Sequence, residues 1–144
     1  MADNQILEQI TVDLDKIAKK AGVTVAQARN EYLNRLSLEV VKGTPVKTGR
    51  LRASWFLSPT LTGAPSASAG EVTAGAPGAT LARLSGQSSA LANLDGSVYL
   101  LNGANYAIFV EARTQFLRKV LARSKAIAAD VVTEIKNIKA TGIP

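Results

Sequence analysis

Two short stretches of the sequence concentrate the side chains that could bind a charged ligand. Residues 42–52 carry four cations and no acid, and residues 113–125 carry five cations and no acid. The cations of the two blocks are Lys42, Lys47, Arg50 and Arg52, and then Arg113, Arg118, Lys119, Arg123 and Lys125. Such blocks can bind DNA phosphates or an acidic protein surface, and the alternative interpretation is two solvated faces. They produce the whole net charge of +6, because the rest of the chain is slightly acidic.

The residue types on which most enzymes depend are missing or scattered. The chain has no histidine and no cysteine, which excludes the usual nucleophilic triads, disulfides and thiolate zinc sites. Asp13 and Asp15 are two positions apart, so a helix would point them to different sides. No cluster of acids resembles a calcium or magnesium loop, and no Gly-Lys-Ser phosphate loop is present. The sequence therefore predicts a protein that is not an enzyme and uses no cofactor or metal, although a Ser-Lys dyad stays open as an alternative.

Length and composition predict one domain over residues 1–144 with a modest core. Hydrophobic residues make up 47% of the chain, but many of them are alanine and only 5% of all residues are aromatic. We therefore expect further burial against partners or sister subunits. No signal-peptide pattern and no apolar run long enough to span a membrane are present, which predicts a soluble protein made in the cytoplasm.

The first basic block lies where a helical pattern changes into a strand pattern. We expect Gly43 to end the helix in a left-handed turn, because Pro45 cannot continue it. Thr48 and Gly49 then predict a tight turn. Apolar residues alternate after this turn and predict a strand over residues 51–57, with the single tryptophan, Trp55, facing the core.

Two helices are predicted before this junction, over residues 4–20 and from Thr24 to Val41. Thr24 and Gln27 have the spacing of a capping box, and Gly22 ends the first helix. Residues 15–41 also resemble the helix-turn-helix of bacterial repressors, so a DNA-binding regulator is the alternative function. Ala28 in place of a branched apolar residue, and a second helix of about five turns, argue against that alternative.

The middle of the chain predicts a small, mostly antiparallel sheet with a long hairpin loop. Glycine and proline are frequent between residues 58 and 80, and only Glu71–Ala74 resembles a strand there. The hairpin loop at 58–70 could be an interaction arm or a mobile tip without a role. Residues 79–94 predict a short helix broken near Gly86, and residues 97–101 predict another strand. Together with the flanking helices, these elements predict an α+β fold.

A long apolar stripe predicts a terminal helix from Thr114 to Lys139. Its first half is unusual, because Arg118 and Lys119 would lie near a helix start, where acids are preferred. Either the helix begins earlier, near Glu111, or this face meets a negative group.

The run TPVKTGRLRASW, at residues 44–55, resembles the Pro-x-x-Thr-Gly-x-Leu-x-x-Ser signature of small tail-component proteins of long-tailed phages. These are neck or tail-completion proteins, a group that includes the minor tail protein Z type. Residues 102–111, with Tyr106 and Glu111, resemble the family's Tyr-Ala…Glu element, and the terminal helix follows in the family's order. The chain departs from the pattern after Glu111, where Ala-Arg-Thr replaces Gly-Thr, and it lacks the aromatic-Pro that often opens the last helix.

The resemblance implies an α+β protomer that forms a ring, with six copies expected, in the neck of a phage particle. Its partners would be a head-side connector or stopper protein and a tail terminator or tail tube protein, with DNA passing through the channel without sequence-specific binding. The chain would divide into a helical part (1–43), a part with sheet and loops (44–112) and a C-terminal helix (113–144). The cations expected to face a partner or the channel are Lys47, Arg50, Arg52, Arg118, Lys119 and Arg123. Thr48 and Gly49 would shape the turn that presents the first of these, while Trp55 and Tyr106 are expected in the core.

Overall fold

The computed structural model describes residues 13–45, 50–60, 78–93, 98–102, 104 and 107–141. Its elements, in chain order, are α1 (Leu14–Ala21), α2 (Val25–Gly43), α3 (Arg50–Ala53), β1 (Trp55–Ser58), α4 (Gly78–Leu91), β2 (Tyr99–Asn102), α5 (Ala107–Thr114), α6 (Phe116–Leu121) and α7 (Ser124–Thr141). The two strands pair antiparallel, with Trp55 opposite Asn102 and Ser58 opposite Tyr99. This architecture confirms the α+β class that the sequence predicts.

Local capping signals determine where the first two helices begin and separate. Asp13 has extended backbone and its side chain accepts a hydrogen bond from the Lys16 amide, so α1 begins at Leu14 and is not continuous from residue 4 as predicted. Gly22 ends α1 in the left-handed conformation, with φ of 70°. Thr24 and Gln27 form the predicted capping box at the start of α2. Residues 1–12 lie outside the described residues.

The end of α2 differs from the prediction for Gly43. Gly43 is still helical, and the chain leaves the helix at Thr44, which has extended backbone. The Thr44 hydroxyl donates to the Val40 carbonyl at 2.6 Å, and the Thr44 amide donates to the Val41 carbonyl at 3.3 Å. A glycine is needed at position 43 because α6 packs close to this point and not because of a left-handed turn. A Cβ there would lie 2.8 Å from Cγ2 of Val120 on α6.

The strand predicted over residues 51–57 is only half correct. Residues 50–53 form the single turn α3, and β1 begins at Trp55. The alternation misled the prediction because residues 51–55 are all buried, so apolar and polar positions do not mark two different faces. The Leu51 carbonyl accepts from Asn102 Nδ2 at 2.8 Å, and the Ser54 hydroxyl donates to the Arg50 carbonyl at 2.6 Å. β1 pairs with β2, and the predicted partner strand at 71–74 and most of its loop lie outside the described residues.

Helix α4 is continuous through Gly86, contrary to the predicted break. Its buried residues are Thr80, Leu84 and Ser88, which repeat every four positions along one face. The Ser88 hydroxyl donates to the Asn30 side-chain oxygen on α2 at 2.7 Å. Gln87 accepts from the Leu57 amide at 2.8 Å on the β1 backbone. Helix α4 is therefore attached to α2 and β1 by hydrogen bonds of its polar side chains as well as by the buried Leu84 in the core.

The predicted terminal helix is divided into two. α6 ends at Leu121 and α7 begins at Ser124, while Thr114 belongs to the preceding helix α5. Between α5 and α6, Gln115 adopts the left-handed conformation, with φ of 54°. The chain can therefore turn twice and bring α7 against both α1 and α2.

The buried side chains form one cluster to which every described helix contributes. Trp55 is 2% exposed, as the sequence predicts for a core residue, and its ring meets Phe116 of α6 edge-on at 6.3 Å between centroids. Its Nε1 donates to the Thr44 hydroxyl at 2.9 Å, which connects the end of α2 to β1.

Gly43 and Gly86 give a matched test of the α2–α6 contact. Gly86→Ala, within α4 and with open space around it, should stabilise the protein by about 0.5–1 kcal/mol through helix propensity. Gly43→Ala should instead destabilise it by about 1–3 kcal/mol, because the new methyl group meets the stiff Val120 side chain. Urea unfolding measures both changes. Equal stabilisation by the two substitutions would contradict the close approach of α2 and α6.

Tyr32 makes stability sensitive to alkaline pH. Burial raises the pKa of Tyr32 to about 12, from an ordinary value of 10.0. The unfolded chain therefore releases this proton first, so the free energy of unfolding should fall as pH rises from 10 towards 12, by about 2–3 kcal/mol in total. Tyr32→Phe should remove this part of the pH dependence in urea titrations. Tyr99→Phe serves as the control, and an unchanged slope in the Tyr32 variant would contradict the assignment.

Candidate interaction surface

Packing of α2 on α6 brings the beginning of the first basic block beside the second. The two contacting residues, Gly43 and Val120, are the chain neighbours of Lys42 and Lys119, and both lysines are exposed. We call the exposed cations of this region, Lys42, Arg118, Lys119 and Arg123, the basic surface. Positive charge that is divided in the sequence is thus gathered on one part of the described structure.

The residues predicted to contact a partner do not all lie in comparable environments. Arg50 is exposed on the single turn α3, and Arg118 and Lys119 are exposed on α6. Arg52 is only 9% exposed, which is not the surface position that the sequence predicted, because α3 turns its side chain inward where a strand would have pointed it outward. Lys47, Thr48, Gly49 and Tyr106 lie outside the described residues.

Arg123 belongs to an ion-pair network that connects α2 with α7. Its guanidinium lies 3.2 Å from the Glu39 carboxylate, and Glu39 also pairs with Arg35 at 3.3 Å. Arg35 reaches across to Asp130, at 3.4 Å, and to Glu134 on α7. Arg35 therefore has three acidic partners, Glu39, Asp130 and Glu134. Arg123 is paired with this network while 56% of its side chain stays exposed.

Glu111 explains how α6 begins among basic residues. Its carboxylate, on α5, accepts hydrogen bonds from the amides of Leu117 at 2.8 Å and Arg118 at 3.2 Å. The negative group that the sequence suggested for this face therefore comes from the preceding helix, across the left-handed Gln115. A buried carboxylate at this helix start compensates the free amides and the positive end of the helix dipole.

The described residues hold neither a candidate metal-binding group nor a helix that could span a membrane. They contain no group of three or more acids placed to hold a metal ion. Over the same ranges, no helix combines the length and apolarity that a transmembrane span requires. The features that distinguish this part of the chain are its placement of charge and its grooves.

Comparison of the chain with known protein families, with curated proteins and with solved structures finds no match.

Sequence reasoning missed the roles of Glu111 and Arg35 for different reasons. Glu111 was recognised only as part of a motif, although the unusual charge at the start of the terminal helix did point to a nearby acid. Arg35 carries no local signal, since its contacts with Asp130 and Glu134 are 95 and 99 positions away in the sequence. Such pairs become visible only when α7 has been placed against α2.

Replacing Glu111 tests its function as the cap of α6. Glu111→Ala should lower the free energy of unfolding by about 1–2 kcal/mol, because the buried Leu117 amide loses its acceptor. Glu111→Gln should cost less, since one acceptor oxygen remains. Urea unfolding would show this order, with Asp15→Ala as an exposed acidic control. If Glu111→Ala were no more destabilising than the control, the capping role would be refuted.

Proposed function

We propose that this protein is a structural component of a tailed-phage neck, a ring protein that joins the head connector to the tail. The residues at 44–55 and 102–111 that resemble the tail-component family support the proposal. The arrangement of helices around a small antiparallel sheet agrees with what that resemblance implies. The protein would act by geometry, without a catalytic step or a cofactor.

The observation that carries the proposal is the gathering of the basic surface beside the signature segment. Thr44, at the start of that segment, ends α2 and bonds to Trp55, while Gly43 contacts α6. The signature therefore has a structural role, which is to join the helix, the strand and the basic helix α6. In a ring, repetition of this unit would present a circle of positive charge to an acidic neighbouring ring or to the DNA channel.

The helix-turn-helix alternative receives no specific support from the geometry. Its recognition helix would be part of α2, which packs against α1, α4, α6 and α7. Ala28, near its start, is fully buried. The fully exposed positions of α2 lie only at its two ends, with Val25 and Gln27 at the start and Lys42 and Gly43 at the end, and the positions between them are buried or half-buried. A helix surrounded in this way has little surface left to enter a major groove.

The ring and its basic surface can be tested together. The purified chain, alone or with head and tail proteins, should form a species of about six times the 15.1 kDa protomer mass. Lys42→Glu with Lys119→Glu should reduce head–tail joining by about tenfold or more, because like charges would then face an acidic neighbour. Native mass measurement and the yield of infectious particles are the two readouts.

The control for these substitutions is Lys136→Glu, at an exposed position of α7 outside the basic surface. It should leave both the mass and the particle yield unchanged. A stable dimer that binds a DNA duplex with sequence preference would instead support the regulator. Normal particle yield from the double variant would overturn the assignment of Lys42 and Lys119.

A further inference from the structure

A groove of about 580 Å³ lies between α1 and α7, at a distance from the signature segment along the chain. One wall is formed by α1 residues spaced three and four apart, and the other by α7 residues from Ser124 to Val132. Its floor is apolar, because Ile17 is buried there and Ala128 and Val132 pack against the core. The wall formed by α7 spans eight residue steps, or about 12 Å. These dimensions suit two turns of a helix or a short extended segment.

The rim of this groove is positively charged. Lys16 and Lys20 line it from α1, one helical turn apart, and Lys125 lines it from α7. All three lysines are exposed, whereas the one acid of the lining, Asp13, already accepts the Lys16 amide as the cap of α1. An occupant that complements both the floor and the rim must combine apolar anchors with flanking carboxylates.

We infer that this groove, which we call the α1–α7 groove, binds an acidic amphipathic segment of a partner protein. One or two aliphatic side chains of that segment would lie on Ile17, Ala128 and Val132. Its aspartates and glutamates would pair with Lys16, Lys20 and Lys125. The recognition mode is that of a short helix whose apolar side fills a groove and whose charged side meets the rim.

Two other occupants fit the groove less well. A nucleic acid backbone would gain from the lysines but would leave the apolar floor unmatched. A second copy of this chain lacks a suitable acidic face on α7 and the adjoining part of α2, because Glu39, Asp130 and Glu134 are already paired with Arg35. Of these three occupants, an acidic protein segment is the one that matches both the apolar floor and the basic rim.

This inference goes beyond the proposed function and does not depend on it. The groove uses α1 and the first half of α7, whereas the basic surface uses the end of α2 and α6. Binding to the groove can be measured on any folded form of the chain, without phage particles. Failure of peptide binding would leave the ring proposal intact, and absence of rings would leave the groove assignment intact.

The test uses a fluorescein-labelled synthetic peptide of about 14 residues, helical, with leucines on one side and glutamates on the other. Fluorescence anisotropy should show saturable binding to the full chain. Lys16→Glu with Lys20→Glu should weaken binding by about tenfold or more, since two attractions become repulsions. Ala129→Tyr should also weaken binding, because Ala129 lines the groove at an exposed position where a larger side chain obstructs entry.

The matched control is Lys19→Glu, which changes the same charge on α1 at an exposed position outside the groove lining. It should change affinity by less than about twofold. Circular dichroism establishes that every variant is folded, and Ala129→Tyr keeps the test informative if the double lysine variant is unstable. Equal weakening by Lys19→Glu, or no effect of Ala129→Tyr, would overturn the inference.

Two further probes separate the chemical classes of ligand. A peptide with the leucines replaced by serine should lose binding, and one with the glutamates replaced by lysine should not bind. A labelled DNA hairpin of matched charge should be insensitive to Ala129→Tyr and should not displace the acidic peptide. If the hairpin displaced the peptide with similar affinity, the groove would be a general anion surface and the inference would be wrong.

Discussion

Burial of one tryptophan imposes the constraint on which most of this structure depends. An indole N–H that is removed from water needs an acceptor, and Trp55 finds it in the Thr44 hydroxyl at the end of α2. That hydroxyl in turn donates to the Val40 carbonyl, so the same group ends the helix and satisfies the ring. Phe116 meets the same indole in an edge-type contact and brings α6 to the same place. The end of α2, strand β1 and helix α6 therefore have little freedom to move relative to one another.

This arrangement gives the chain its distribution of charge. Because α6 approaches α2 closely enough to need a glycine at position 43, the beginning of the first basic block lies beside the second although the two are distant in the sequence. Acidic side chains then compensate some of these positive charges. Glu111 compensates the start of α6 and Glu39 engages Arg123, while Lys42 and Lys119 point to solvent. The backbone of this surface belongs to helices that pack in the core, and one of its cations, Arg123, is held by an ion pair with Glu39.

A feature could be predicted from the sequence when the interactions that form it are local along the chain, and was missed when they join distant residues. The capping box at Thr24 and the left-handed Gly22 are formed by residues close together in the chain, so the residue types there predict them directly. The strand predicted over residues 51–57 was half wrong because residues 51–55 are all buried. Complete burial removes the contrast between apolar and polar positions on which a prediction from alternation depends. The separation of α5 from α6 was missed because it depends on a carboxylate from another helix and on Gln115 in an unfavourable conformation. For the same reason, composition revealed the two basic blocks but not their proximity, nor the groove between α1 and α7.

The contact of α7 with both α1 and α2 also has a consequence for biosynthesis. Helices α1 and α7 are the first and last helices of the described structure. The face of α2 that α7 covers stays open until α7 has emerged from the ribosome. Closing so long a stretch of chain is entropically costly and slow, so the early helices spend time as an exposed apolar pair. This part of the chain can therefore complete its core only after α7 has been synthesised, and a nascent chain interrupted before α7 would be an aggregation-prone species and a substrate for chaperones.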